Sequence, residues 1–322
     1  MKTIYLDTDS LLDEMKPCVA TVGFFDGVHL GHTFLINHVI KEAKASGLMS
    51  VVVTFDKHPR EVLKCEYKPE LLCTLDSKLL LLSKTGIDQV VVLHFDEALA
   101  LLSAQDFMRK ILKERLNVQK LVVGYDNRFG HHRTEGIDDY IRYGQEMDLK
   151  VIRNQSFVLN GIQVSSSVIR KYIREGEMDL ANQCLGYPYT IAGIVRGGEQ
   201  EGRKMGFPTA NLDTSDFGQL IPASGVYAVK ARLMQSVAEK PAMMNIGKRP
   251  TFGGTQLSIE THIFNFDEDI YGQLLLVSIM YRIREEQKFD SVEKLQEQLR
   301  EDKELILQQF NKDKDLILID NL

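Results

Sequence analysis

The chain has 322 residues, 44% hydrophobic and 26% charged, with a net charge of -6 at pH 7. That length suits two domains of ordinary globular composition, at roughly 150 residues each. The acidic balance excludes wholesale nucleic-acid binding, which needs a basic face, and no apolar run approaches the length of a membrane span.

The stretch from Met1 to Pro17 is too charged for a signal peptide. Cys18, Cys65, Cys73 and Cys184 form no CxxC pair and no metal-ligand spacing, so they read as reduced core thiols. A cytoplasmic protein, monomeric with transient self-association allowed, is the expectation.

Short apolar runs predict strands at Cys18 to Phe24, Ser50 to Phe55, Gln89 to Leu93 and Lys120 to Gly124. Helical patterns lie between them, from His32 to Ala45, Asp76 to Lys84 and Ser103 to Arg115. Continuous β-branched runs separated by helices predict a parallel sheet covered on both faces. Such sheets take ligands beyond the carboxyl ends of their strands. Past Gly186 the pattern changes to closely spaced runs at Tyr189 to Val195, Gly225 to Leu233, Ala242 to Ile246, Ser258 to Phe264 and Leu274 to Tyr281. Without intervening helices these predict an antiparallel β-barrel. A closing helix is expected from Ser291 to Phe310, capped by Ser291, with Lys294 and Gln298 outside and Leu295, Leu299 and Ile306 inside. The domains are therefore placed at 1–186 and 187–322.

The first chemical signal follows the first strand, in Gly23-Phe24-Phe25-Asp26-Gly27-Val28-His29-Leu30-Gly31-His32. A helix N-terminus offers unpaired N–H groups and partial positive charge to a triphosphate. Gly31 permits close backbone approach, and the imidazoles of His29 and His32 can donate to phosphoryl oxygens as charge builds. Alone, a His-x-Gly-His could equally be chance or a metal fragment. Ser165, Ser166 and Ser167 open another helical pattern with Arg170 one turn in. These hydroxyls can hold phosphate or simply cap the helix, and Arg170 can clamp an anion with two parallel donors.

The second signal is Gly198-Glu199-Gln200-Glu201-Gly202-Arg203-Lys204-Met205-Gly206-Phe207-Pro208-Thr209-Ala210-Asn211. It is no Walker P-loop, because its spacing is wrong and no hydroxyl follows Lys204. On an extended segment Thr209 and Asn211 point the same way and can face one hard cation. Taken alone, Pro-Thr-Ala-Asn reads as a turn with polar caps.

Together with Thr54-Phe55-Asp56-Lys57-His58-Pro59 and Gly124-Tyr125-Asp126-Asn127-Arg128-Phe129-Gly130, the first set resembles the adenylyltransferase half of prokaryotic bifunctional FAD synthetases. The second set resembles riboflavin kinases, with further matches at Gly225-Val226-Tyr227, Asn245-Ile246-Gly247-Lys248-Arg249-Pro250-Thr251-Phe252, Ile259-Glu260-Thr261-His262 and Tyr271-Gly272. The resemblance runs from about Val19 to the closing helix, with the motifs in order. It implies a Rossmann-like α/β nucleotidyltransferase domain followed by an antiparallel β-barrel kinase domain. It also implies two reactions: phosphorylation of riboflavin to FMN, and adenylation of FMN to FAD with release of pyrophosphate.

By resemblance, ATP in the first half meets Gly23, Phe24, Asp26, Gly27, Gly31, Asp126, the three serines and Arg170, with His29 and His32 at the reacting phosphates. Flavin falls to Phe55, His58 and Arg128. The family has a proline before the residue matching His58, where this chain has Lys57. In the second half ATP meets Gly202, Gly206 and Pro208, Thr209 and Asn211 hold Mg2+, and Glu260 is the general base.

His131, His132 and Arg133 read as a solvated loop, His38 and His94 as packed or exposed, Met243 and Met244 as core, and Glu285, Glu286, Glu301 and Asp302 as solvated charge. Weaker alternatives are a single live activity and a non-catalytic flavin- or nucleotide-binding protein. A tRNA-synthetase-like reading is set aside because no lysine-rich second motif follows and the barrel would be unexplained.

Overall fold

The computed structural model describes residues 1–7, 15–58, 70–131, 134–198, 201–251 and 254–319. Pro59, Cys65, His132, Arg133, Glu199, Gln200 and Phe252 therefore lie outside the described residues. The chain divides into two compact units, Met1–Val168 and Ile169–Leu322.

The first unit holds a sheet of six parallel strands: β1 (Lys2–Leu6), β2 (Cys18–Val22), β3 (Met49–Phe55), β4 (Gln89–Leu93), β5 (Val118–Val123) and β6 (Lys150–Arg153). Their order is β1-β4-β3-β2-β5-β6. Every residue of β2 and β4 is buried, and alternate side chains feed two separate cores. Val51, Val53 and Val91 enter one, and Val52, Val90 and Val92 the other. A Val run buried on both faces is why these strands show no polar alternation. Burying each such side chain is worth about 1.5–3 kcal/mol.

Helix α1 (Leu30–Ser46) covers one face through Leu35, Ile36, Val39 and Ala43, as does α2 (Leu75–Ser83) through Leu82. The other face is covered by the π-helical segment Phe107–Arg115 and by α3 (Ile137–Glu146) through Tyr140. From β2 the chain builds outward through β3 and β4, then crosses to the opposite side of β2 with β5. The reversal leaves a crevice beyond the carboxyl ends of β2 and β5, the place where such sheets take ligands. The sequence reading finds the four inner strands and omits β1 and β6. Both omitted strands sit at sheet edges.

A helix over Ser166–Glu175 (α4) straddles the division of units, and α5 (Met178–Leu185) belongs to the second. Asn182 on α5 donates to the carbonyls of Ile279 and Met280 and accepts from the Tyr189 N–H, which seats α5 on the strands that follow.

The second unit is a closed barrel of β9 (Tyr189–Arg196), β10 (Ala210–Asp213), β11 (Gly225–Leu233), β12 (Lys240–Thr251), β13 (Gly254–Ile263) and β14 (Leu274–Arg284). A separate hairpin, β7 (Val158–Leu159) with β8 (Ile162–Gln163), belongs to the first unit. All barrel pairs are antiparallel, as expected from the spacing, and the strand order is β10-β13-β12-β11-β14-β9. The strand missing from the sequence reading is β10. It has no apolar run, yet it pairs with both β9 and β13 and so closes the barrel.

The closing helix α6 (Val292–Ile319) starts one residue after Ser291, whose hydroxyl accepts from the Lys294 N–H. Ile306 and Phe310 bury against Phe207, Val226, Ala228, Met243 and Phe264. Asp302 corrects the sequence expectation. It is not solvated but 2% exposed, gripped by Nε and Nη2 of Arg284 at 2.8–3.1 Å. Removing one partner of a buried pair costs about 3–5 kcal/mol, because the other charge stays behind uncompensated. Asp302→Ala is expected to destabilise the barrel by that amount, read as faster hydrogen exchange in β14 peptides under mild urea. Adding Arg284→Met should recover part of the loss.

Candidate active sites

The loop from β2 to α1 bends sharply. Phe25, Gly27 and Val28 all take positive φ (52°, 77° and 36°). For β-branched Val28 this conformation costs on the order of 1–3 kcal/mol, strain of a kind that gathers at functional sites. The bend delivers His29 to the N-cap of α1, where its Nδ1 accepts the His32 N–H at 3.3 Å. An accepting Nδ1 puts the proton of a neutral imidazole on Nε2, leaving that edge as a donor. The rings of His29 and His32 stack, with centroids 3.6 Å apart at 17°. A Cβ at Gly31 would stand 3.1 Å from the His29 ring and 3.1 Å from the Val164 carbonyl, so a side chain here would press on both and need them to give by a few tenths of an ångström.

The Ser-rich segment abuts this loop. Ser166 Oγ donates to the Asp26 carbonyl at 3.2 Å, and Ser165 Oγ accepts the Val168 N–H, which is the capping role left open above. Ser167 is exposed and Arg170 half-buried further along α4, the latter counted with the second unit. The Asp26 carboxylate accepts the Leu72 and Cys73 N–H groups at 2.9–3.2 Å, so it fastens a loop. Beside it, burial pushes the Cys73 thiol up to about 12.

Opposite, His58 sets its ring edge-on to Phe24 at 4.7 Å. The Phe55 ring is packed in the core against Phe95. Asp126 and Arg128 are exposed on the turn after β5. Between them Asn127 donates to the Val22 carbonyl at the end of β2, and the sequence reading gave that residue no role. Asp56 holds His94 at 2.6 Å and accepts the Phe95 N–H. Despite burial, those hydrogen bonds keep its carboxyl below the usual range.

In the barrel, Glu260 on β13 lies directly between Asn211 on β10 and Asn245 on β12. Its carboxylate accepts from Ser258 Oγ at 3.0 Å and from Thr209 Oγ1 at 3.3 Å. Thr209 also lines a cavity of about 310 Å³ with Arg203, Pro208, Thr261, Phe266 and Tyr271. His262 on the same strand holds the Pro208 carbonyl at 2.7 Å and meets Phe207 edge-on, steadying the turn that presents Thr209. Burial favours the neutral ring and lowers the His262 pKa from 6.5, against the opposing pull of that hydrogen bond. Gly202 sits against the Phe207 carbonyl and accepts the Phe207 N–H at 2.8 Å, an approach that a Cβ would block. Gly206 takes φ +83° in the following turn.

The FAD synthetase family matches residues 12–168 and the riboflavin kinase family residues 185–310. A bifunctional riboflavin kinase/FMN adenylyltransferase from Escherichia coli is 36% identical over 288 residues, 89% of this chain and 90% of its own. Those bearing the same name from Bacillus subtilis and Listeria monocytogenes are 36% and 38% identical, covering 94% of this chain and 96% of theirs. The chain belongs to the bifunctional riboflavin kinase/FMN adenylyltransferase family.

Family membership accounts for both halves of the architecture: the α/β unit carries the FAD synthetase match and the barrel the riboflavin kinase match. A crystal structure described as a macrolide-efflux protein from Streptococcus pneumoniae is also similar, with TM-score 0.85 at 32% identity over 95% of this chain and 99% of that one. Among the described residues of this chain no helix is long and apolar enough to cross a membrane. Within the two sites, Lys78, Asn127, Asn245 and His262 were not anticipated as participants. Asn127, Asn245 and His262 lie inside motifs already visible in the sequence. Lys78 had no such signal.

Proposed function

We propose that the chain makes FMN from riboflavin at the barrel and FAD from FMN at the sheet crevice, using ATP for each. The observation that carries this reading is Glu260, a carboxylate held by two hydroxyls, one of which lines a cavity. There Glu260 takes the proton of the riboflavin 5′-hydroxyl as that oxygen attacks the γ-phosphorus and ADP departs. Gly202, Gly206 and Pro208 shape the backbone against the ATP phosphates. Thr209 and Asn211 suit Mg2+: both are hard oxygen donors, and a Thr209 hydroxyl that gives its proton to Glu260 keeps its lone pairs available. Bound there, the ion would neutralise charge on the phosphates.

At the crevice an FMN phosphate oxygen attacks the α-phosphorus of ATP and pyrophosphate leaves, so no base is needed. The work is positioning and charge stabilisation. His29 donates through Nε2, His32 stacks behind it, and the N-terminus of α1 adds its partial positive charge. Gly23, Phe24, Gly27 and Gly31 form the floor, Asp26 secures it, and the serines, Arg170 and Asp126 complete the ATP contacts. His58 and Arg128 receive the flavin, with Phe55 backing them from the core. We place the functional division near Gly186, at the start of the riboflavin kinase match. A cytoplasmic monomer completes the proposal, in keeping with free buried thiols at Cys18, Cys73 and Cys184.

Incubation with riboflavin, ATP and Mg2+, with flavins separated over time, tests the reading. FMN should appear first and FAD follow. FMN alone would remove the crevice activity, and no product would leave a binding protein.

A further inference from the structure

Lys78 is the most deeply buried cation in the described first unit that neither motif explains, at 2% exposed. It comes from the first turn of α2, whose N-cap Thr74 follows the loop that Asp26 fastens. Its ammonium donates to the Phe24 carbonyl at 3.0 Å, the Phe55 carbonyl at 3.0 Å and Thr54 Oγ1 at 3.3 Å. Three donors thus meet three neutral oxygens, and the Nζ also stands 4.0 Å from the centroid of the Phe24 ring. Thr54 Oγ1 in turn donates to the Phe24 carbonyl at 3.1 Å. The chain just past β2 and the last residue of β3 are therefore tied through one atom. The two segments it joins carry Phe24 and His58, whose rings meet across the same gap.

A buried ammonium with no carboxylate in its hydrogen-bond shell is costly to keep. A methionine of similar length would fill the space without that cost, although it would leave the oxygens unbonded. The arrangement gains something other than packing. We propose that Lys78 is a positioning residue for adenylyl transfer, holding the Phe24 and Phe55 segments at the separation in which the β2 loop and His58 receive nucleotide and flavin together. The inference rests on FAD formation taking place at this crevice. Lys78 is not catalytic, since its three protons are already engaged by protein oxygens.

The charged and titratable groups around it are Asp26 and Cys73 from the fastened loops and Asp56, paired with His94, from the end of β3. Burial lowers the ammonium from 10.5 to about 8, against the pull of these neighbours. Below about pH 8 the clamp has all three donors. Above it the neutral amine has two, and the tie loosens. Stability runs the other way. The unfolded chain keeps this proton up to 10.5, so the contribution of Lys78 to folding rises from pH 8 to 10.5 as the buried charge disappears.

The test compares full-length wild type with Lys78→Met, assaying FAD formation from supplied FMN and FMN formation from riboflavin on one preparation across pH 7 to 10. Lys78→Met should lower kcat/KM for adenylyl transfer by about 10–10²-fold, the scale of a misplacement near 1 Å, with kinase activity unchanged. In wild type the adenylyl transfer should fall as pH passes about 8 while the first unit does not unfold more readily. The variant should lack that alkaline limb. Adenylyl transfer within twofold of wild type in the variant, or an identical alkaline limb, would overturn the role. If the variant does not fold, the wild-type profile decides: activity falling without loss of stability supports the clamp, and activity that stays level or merely tracks unfolding rejects it. Wild type forming no FAD would overturn the crevice reading, and this inference with it.

Discussion

Glu260→Gln is expected to lower riboflavin phosphorylation by about 10²–10⁴-fold, the usual range for a general base, while FAD formation from supplied FMN continues at the wild-type rate. The substitution is nearly isosteric. Thr209 and Ser258 donate to opposite carboxylate oxygens, so the amide oxygen can still accept from one of them and the local hydrogen bonds survive in part. What is lost is the ability to take a proton from the 5′-hydroxyl. A carboxylate serving only as a cross-strand partner of Asn211 and Asn245 would be worth roughly 0.2–1 kcal/mol of stability and nothing in turnover. Steady-state rates at saturating riboflavin and ATP separate the two roles. Equal turnover in variant and wild type would remove Glu260 from the chemistry.

The second large effect concerns His29, and here two substitutions are needed. His29→Ala loses both the imidazole and the N-cap of α1, and loss of a cap costs about 0.5–2 kcal/mol in stability. His29→Asn keeps a side-chain acceptor for the His32 N–H but cannot present a donor at the position of Nε2. Both variants should form FAD about 10²–10³-fold more slowly, the effect of removing one donor from a developing negative charge. FMN formation should persist in both. Should His29→Asn form FAD like wild type while His29→Ala does not, the imidazole would be a cap alone and the donor would have to be sought elsewhere.

Much of the fold was legible because burial on two faces leaves a plain mark. Ser50 to Phe55 and Gln89 to Leu93 are continuous apolar runs because each alternate residue enters a different core. The edge strands are quieter. β1 and β6 are shielded less, their residues are partly exposed, and they carry no such run. β10 was hidden for another reason. Its four residues follow a Pro-Thr sequence that reads locally as a turn, and only pairing with β9 and β13 makes it a strand. That pairing also puts Asn211 beside Glu260, 49 positions along the chain, a neighbourhood no local pattern encodes.

The charged residues divide in the same way. On α6 the pattern placed Ile306 inside correctly, but Asp302 reads as solvated until Arg284 of β14 is brought against it. Lys78 lies within a predicted helix and carries no local signal until the ends of β2 and β3 converge on its ammonium. By itself the sequence determined the two-part architecture, both family motifs, and the histidines and carboxylate on which the chemistry depends. Those depend on residue type and near spacing, which the chain carries directly. Tertiary structure alone decided which buried charges are compensated, which strand closes the barrel and which side chains hold the strand ends apart. Each of those is a contact between segments far apart in sequence, and its energy exists only once the fold has removed water from between them.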